Sequence, residues 1–154
     1  MLEPDTSLSE TLHQLMHTYT NLLLEGIRQQ KLDLSVTHIR TLKGVCHDSK
    51  STAHSIAQRM QRDKAQITRA LNDLVTAELI FKTDNPLDGR SQLLQPTTKG
   101  KQAMVKLQAA ERWVVDQFTQ NVDSDDLALF LNISRNMIKS AALSDDTTDG
   151  ASRH

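Results

Sequence analysis

At 154 residues, with a formal net charge of −1 and one cysteine, the chain is long enough for one domain that buries its own core without disulfides or a structural metal. The lone Cys46 excludes an intrachain disulfide framework and suits a reducing compartment. No run nears the ~20 apolar residues of a membrane span, and Met1-Leu2-Glu3-Pro4-Asp5 lacks the basic and apolar regions of a secretion signal, so a soluble, cytoplasmic protein without membrane contact is expected.

Residues 1–7 read as a loose tail. From Leu8 to about Gln30, apolar residues at Leu8, Leu12, Leu15, Met16, Tyr19, Leu22, Leu23 and Ile27 give a long amphipathic helix with a broad apolar face. A second helix starts near Ser35, a capping residue, and turns in Val36, Ile39, Leu42, the Lys43 stem and Val45 or Cys46. The polar loop from His47 ends at Ser51 or Thr52, which caps a short helix to Met60 with Ala53, Ile56, Ala57 and Met60 inward. Gln61 and Arg62 make a tight break.

The next stretch, Asp63 to Thr76, organises the rest. Ile67, Ala70, Leu71 and Leu74 recur on one helical face. Asp63 is expected to cap the start and Gln66 to complete a capping-box-like pair. Lys64, Gln66, Thr68, Arg69 and Asn72 stay off the apolar face, and all five donate hydrogen bonds without carrying negative charge. A helix buried on one side with amide, hydroxyl and cationic donors on the other suits a DNA major groove, and helix, turn, helix is the supersecondary unit that presents it.

After Thr76 the period changes to that of strands at Leu79–Asp84, which includes Lys82, and at Ser91–Gln95. Between them Asn85-Pro86-Leu87-Asp88-Gly89-Arg90 is dense in turn formers. A hairpin in this place is a wing. Thr97 or Thr98 then caps a helix to about Asn121, with Ala103, Met104, Leu107, Ala110, Val114, the Gln117 stem and Phe118 as its seam. Asp123 or Ser124 opens a last helix to about Ala142 carrying Leu127, Phe130, Leu131, Met137 and Ile138. Residues 144–154 have the composition of a disordered tail.

The expected fold is mainly α with a small β-hairpin. A winged helix-turn-helix at 35–97 lies between an N-terminal helix (1–34) and C-terminal helices (98–143). The terminal helices carry more apolar surface than such a small core covers, so they are expected to pair with a second copy as the dimerisation region of a homodimer. Residues 50–101 hold nine cations against five acids, net +4, and the remainder nine against fourteen, net −5. A basic middle between acidic flanks is the distribution expected if only the middle meets phosphates.

The order and residues of this pattern resemble the multiple-antibiotic-resistance-regulator (MarR) family of transcription factors. The resemblance rests on Ile56–Met60, Asp63–Arg69, Leu74–Leu79, the wing Asn85–Arg90 and the exit Thr97-Thr98-Lys99-Gly100. Its most specific part is Asp88-Gly89-Arg90, where the family has aspartate-x-arginine, the carboxylate orienting an arginine that enters the minor groove. The resemblance implies a homodimeric regulator, a repressor at a pseudo-palindromic operator, released by a small-molecule effector. It implies duplex DNA contacts from Lys64, Gln66, Thr68, Arg69 and Asn72 on the helix and from Lys82, Asp88 and Arg90 on the wing. Departures are Gln61 where a turn glycine is common, Arg62 where an apolar residue is usual, and Glu78 where a glycine often ends the recognition helix. Gly89 leaves one arginine where many members have two, and Pro96 replaces a strand leucine.

The competing reading is a winged-helix module that binds protein without specific DNA recognition. Enzymatic activity is not expected, because the chain has no glycine-rich phosphate loop, nucleophile elbow, HExxH or clustered cysteines. No cofactor is implied. His13 and His17 stand four apart on the first helix, and His38 lies near Cys46 and His47. Both sets are read as solvated or interface residues and not as metal sites. Cys46 is read as a packing residue, and Trp113 and Phe118 as core or interface.

Overall fold

The computed structural model describes residues 4–148, with side chains for 7–142. Six helices and one hairpin follow in order: α1 (Pro4–Gln29), α2 (Val36–His47), α3 (Ala53–Met60), α4 (Lys64–Thr76), β1 (Ile80–Asp84), β2 (Gln92–Pro96), α5 (Thr98–Thr119) and α6 (Ser124–Thr148). They form two compact units that divide within α5, between Val114 and Val115.

Two ends differ from the sequence reading. The first helix begins at Pro4 and not at Leu8, because proline's fixed φ suits the first helical position and its missing N–H would be unpaired there anyway. The last helix runs on to Thr148, so 144–148 is helical and the expected disordered tail does not begin at 144. No proline or glycine occurs between Gly100 and Gly150, and serine, aspartate and threonine only weaken a helix. Residues 149–154 lie outside the described part.

Local chemistry sets the helix starts. Ser35 caps α2 in a reciprocal box with His38, and Thr52 caps α3 in another with Ser55. Asp63 caps α4 by accepting from the Ala65 N–H at 3.2 Å, while Gln66 does not close the expected box. Thr97 accepts from the Gly100 N–H at 3.0 Å and donates to the Glu78 carbonyl at 2.6 Å, tying the start of α5 to the end of α4.

Helix ends are paid for in backbone strain. Lys31, Gln61 and Glu78 have φ of 57°, 49° and 61°, the left-handed region, and none is glycine. Gln61 closes α3 and makes the helix-turn-helix break; Glu78 follows the cap of α4. A side chain in that region costs ~1–2 kcal/mol, offset in part by glycine's greater unfolded-state freedom. Gln61→Gly and Glu78→Gly are each expected to add about 0.5–1 kcal/mol of stability. Thermal melting checks this, and an unchanged or lower midpoint in both would count against the strain.

The core of the first unit gathers one stripe from each element. Leu23 and Ile27 of α1, Ile39, Leu42 and Val45 of α2, and Ile56 of α3 meet Ile67, Leu71 and Leu74 of α4, with Ile80, Leu94, Leu107 and Val114 completing it. All four α4 positions expected inward (Ile67, Ala70, Leu71, Leu74) are buried. The hairpin is antiparallel, with Ile80 opposite Pro96 and Asp84 opposite Gln92. It is tied to the lobe where the Leu94 N–H donates to the Ser51 carbonyl at 2.8 Å. Pro96 sits at the end of β2, where a missing N–H costs least.

Two positions depart from the expected α2 pattern. Thr41 is buried, its hydroxyl returned to the Thr37 carbonyl at 2.7 Å. Lys43 points out, paired with Glu111 of α5. On the first part of α1, Leu8, Leu12 and Met16 are exposed. In the second unit, Leu127 of α6 is half-buried, whereas Phe130, Leu131, Met137 and Ile138 are exposed.

Candidate nucleic-acid interface

All five donor residues of α4 (Lys64, Gln66, Thr68, Arg69 and Asn72) are exposed. They divide into two sets. Lys64, Thr68 and Asn72, four apart, face the wing and line a cleft of about 250 Å³ together with Lys82 of β1 and Arg90 of the wing. Gln66 and Arg69 lie outside this cleft, further round the polar face. Arg69 folds along its own helix, its Nε 3.5 Å from the Ala65 carbonyl.

The cleft holds Lys64, Lys82 and Arg90 and is lined by no carboxylate. Lys82 donates to the Asn72 side-chain oxygen at 3.4 Å, so the helix and the hairpin touch through groups that both suit a nucleic acid. Clustered cations beside amide and hydroxyl groups, with no acid to repel phosphate, can hold a polyanion. Beyond the expected DNA-contact residues, the cleft is also bordered by the polar Thr52 and His54 at the start of α3 and Ser91 and Gln92 on the hairpin. The α3 start was legible in sequence, and a helix N-terminus favours anions. Its nearness to the wing was not legible.

The wing is held by its own side chains. Asn85 accepts from the Leu87 N–H at 3.1 Å and donates to Ser91 at 3.0 Å. Asp88 accepts from the Arg90 N–H at 3.0 Å and from the Ser91 hydroxyl at 3.4 Å. Asp88 therefore orients Arg90 through its backbone, and the guanidinium stays exposed. Among the described residues the ion pairs are Glu25–Arg28, His38–Asp73 and Lys43–Glu111, so Asp88 and Arg90 do not pair by side chain. Gly89 has no positive φ and nothing within 4 Å of an added Cβ, so its place on the wing has room for a side chain.

The remaining sequence candidates fall elsewhere. His38 is engaged at both ring nitrogens, by Ser35 and Asp73. His17 lies 3.3 Å from the Asn21 amide. Among the described residues no three His, Cys, Asp or Glu side chains gather as a metal site. Burial pushes the Cys46 thiol up, and nearby Lys101 only partly opposes this, which works against a reactive thiolate. Trp113 packs near Gly26, where α1 and α5 come close at Ala110. No helix of the described residues is long and apolar enough to cross a membrane.

A helix-turn-helix followed by an antiparallel hairpin defines a winged-helix protein. Residues 32–91 match the MarR family model. Solved structures agree in fold. A cysteine-to-serine mutant of MarR from E. coli, complexed with operator DNA, is 21% identical, with a TM-score of 0.76 over 85% of this chain and 93% of that one. A MarR family transcription regulator is 20% identical, with a TM-score of 0.76 over 94% and 99%. PcaV from Streptomyces coelicolor, in complex with its natural ligand, is 18% identical, with a TM-score of 0.72 over 92% and 98%. No curated protein matches the sequence.

Proposed function

We propose that this chain is a sequence-specific DNA-binding transcriptional regulator, acting as a homodimeric repressor at a pseudo-palindromic operator. The observation that carries the reading is the acid-free cleft where Lys64, Thr68 and Asn72 of α4 meet Lys82 and Arg90 of the hairpin. The exposed side of α4 enters the major groove, where Gln66 suits adenine and Arg69 suits guanine. The wing carries Arg90 into the minor groove, whose negative potential rewards one well-held guanidinium. Among proteins of the same fold, the E. coli MarR mutant was solved with operator DNA.

The exposed apolar residues of α1 and α6 support pairing with a second copy through residues 1–34 and 98–143. Two-fold symmetry would then set half-sites ~10 base pairs apart. Release by a small molecule is the finer part of the proposal. PcaV holds its natural ligand in a like fold. Here a groove of about 770 Å³ in the first unit is bordered by Arg40, Lys43, Arg59 and Lys101 beside Met60 and Met104. That lining suits an amphipathic anion.

Selection of bound sequences from a random DNA pool tests specificity, symmetry and spacing together. The expected result is an inverted repeat bound in a steeply salt-dependent complex. Equal binding to all sequences would favour the other reading, a winged-helix protein-interaction module.

A further inference from the structure

We propose that His38 is a positioning residue for DNA recognition: it holds Asp73, the only carboxylate within α4, away from Arg69 and from the DNA backbone. The inference rests on the DNA-binding reading above. His38 stands on α2, 35 residues before Asp73, and its Nε2 lies 2.9 Å from the Asp73 Oδ2. The ring is fixed at its other end too. Its Nδ1 accepts from the Ser35 N–H at 3.3 Å and lies 2.9 Å from the Ser35 hydroxyl. A backbone N–H can only donate, so Nδ1 is the acceptor and Nε2 carries the hydrogen directed at Asp73. The cap of α2 thus aims one donor at the recognition helix.

Without that donor Asp73 would do harm in two ways. It is four residues from Arg69, the helical spacing at which side chains meet. A free carboxylate there would draw the guanidinium onto the helix, away from a base. It is also next to Asn72, with 65% of its side chain exposed, so a carboxylate left unheld would be free to swing its negative charge toward the phosphate-facing surface. In the structure the two are kept apart. Arg69 turns toward the Ala65 carbonyl, and Asp73 turns toward α2.

The test measures affinity for the selected DNA site, with thermal melting alongside, on the full chain. His38→Ala is expected to weaken binding about three- to fivefold. Asp73→Asn should bind as well as the wild type or better, and the double variant should match Asp73→Asn. His38→Gln, whose amide can serve both Ser35 and Asp73, should stay near the wild type. Loss of the α2 cap would lower the melting point of His38→Ala and of the double variant alike, so it cannot mimic rescue of binding. A binding loss that persists in the double variant overturns the inference and leaves the DNA-binding reading intact. A wild type with no preference among DNA sequences overturns both.

Discussion

Gly100→Ala is expected to destabilise the protein by about 3 kcal/mol or more, lowering the melting point by roughly 6–12 °C. A Cβ built on Gly100 would stand 1.9 Å from the Leu79 carbonyl oxygen and 3.0 Å from its carbon. These are backbone atoms with little freedom. The Leu79 carbonyl accepts from the Thr97 N–H at 3.0 Å, and Leu79 itself is buried. Relief therefore requires α5 to move away from the junction of α4 and β1, breaking the bonds by which Thr97 joins them. The measurement has an internal control in Gly89→Ala, where the added methyl meets nothing and stability should hold. A Gly100→Ala midpoint within about 2 °C of the wild type would show that the junction yields more easily than its bonding implies.

Arg90→Ala is expected to weaken binding to every DNA sequence by about tenfold and to reduce the salt slope by about one. Arg69→Ala should instead cost ~1–3 kcal/mol at the matched base and flatten the preference there. The contrast follows from their supports. Arg90 projects from a turn stiffened by Asn85, Asp88 and Ser91, so its charge is delivered to one place whatever the bases. Arg69 rides on a helix whose other side is locked in the core. Adding charge tests the same idea from the opposite side: Gly89→Arg fits the open wing tip and should tighten binding generally. Anisotropy titrations across a salt series check all three. Equal, sequence-independent losses for Arg69→Ala and Arg90→Ala would reject the division of roles.

Much of the lobe was readable one residue at a time. The 3.6-residue period placed Ile67, Ala70, Leu71 and Leu74 in the core because a helix with one apolar stripe has one way to bury it. The turn formers of 85–90 marked the hairpin, since Asn85 and Asp88 each accept from the backbone N–H two residues on, as such side chains do in turns. Ser35, Thr52 and Asp63 announced helix starts, though not their partners: the boxes closed at His38 and Ser55, and none closed at Gln66. Lys43 defeated the pattern because Glu111, 68 residues on, drew its ammonium outward. Thr41 and Ser51 defeated it from the other side. Their hydroxyls return to local carbonyls, so burial leaves no polar atom unpaired.

Sequence alone established the elements, the side of α4 that is buried, and the residue types left on its exposed side. Those depend on local backbone preference and on periodicity, which each segment carries within itself. Folding alone decided which donors share a cleft, that His38 reaches Asp73, and that Gly100 admits no side chain beside Leu79. These are meetings of groups far apart along the chain. Their distances come from how stripes of different elements pack together, and no segment encodes that by itself.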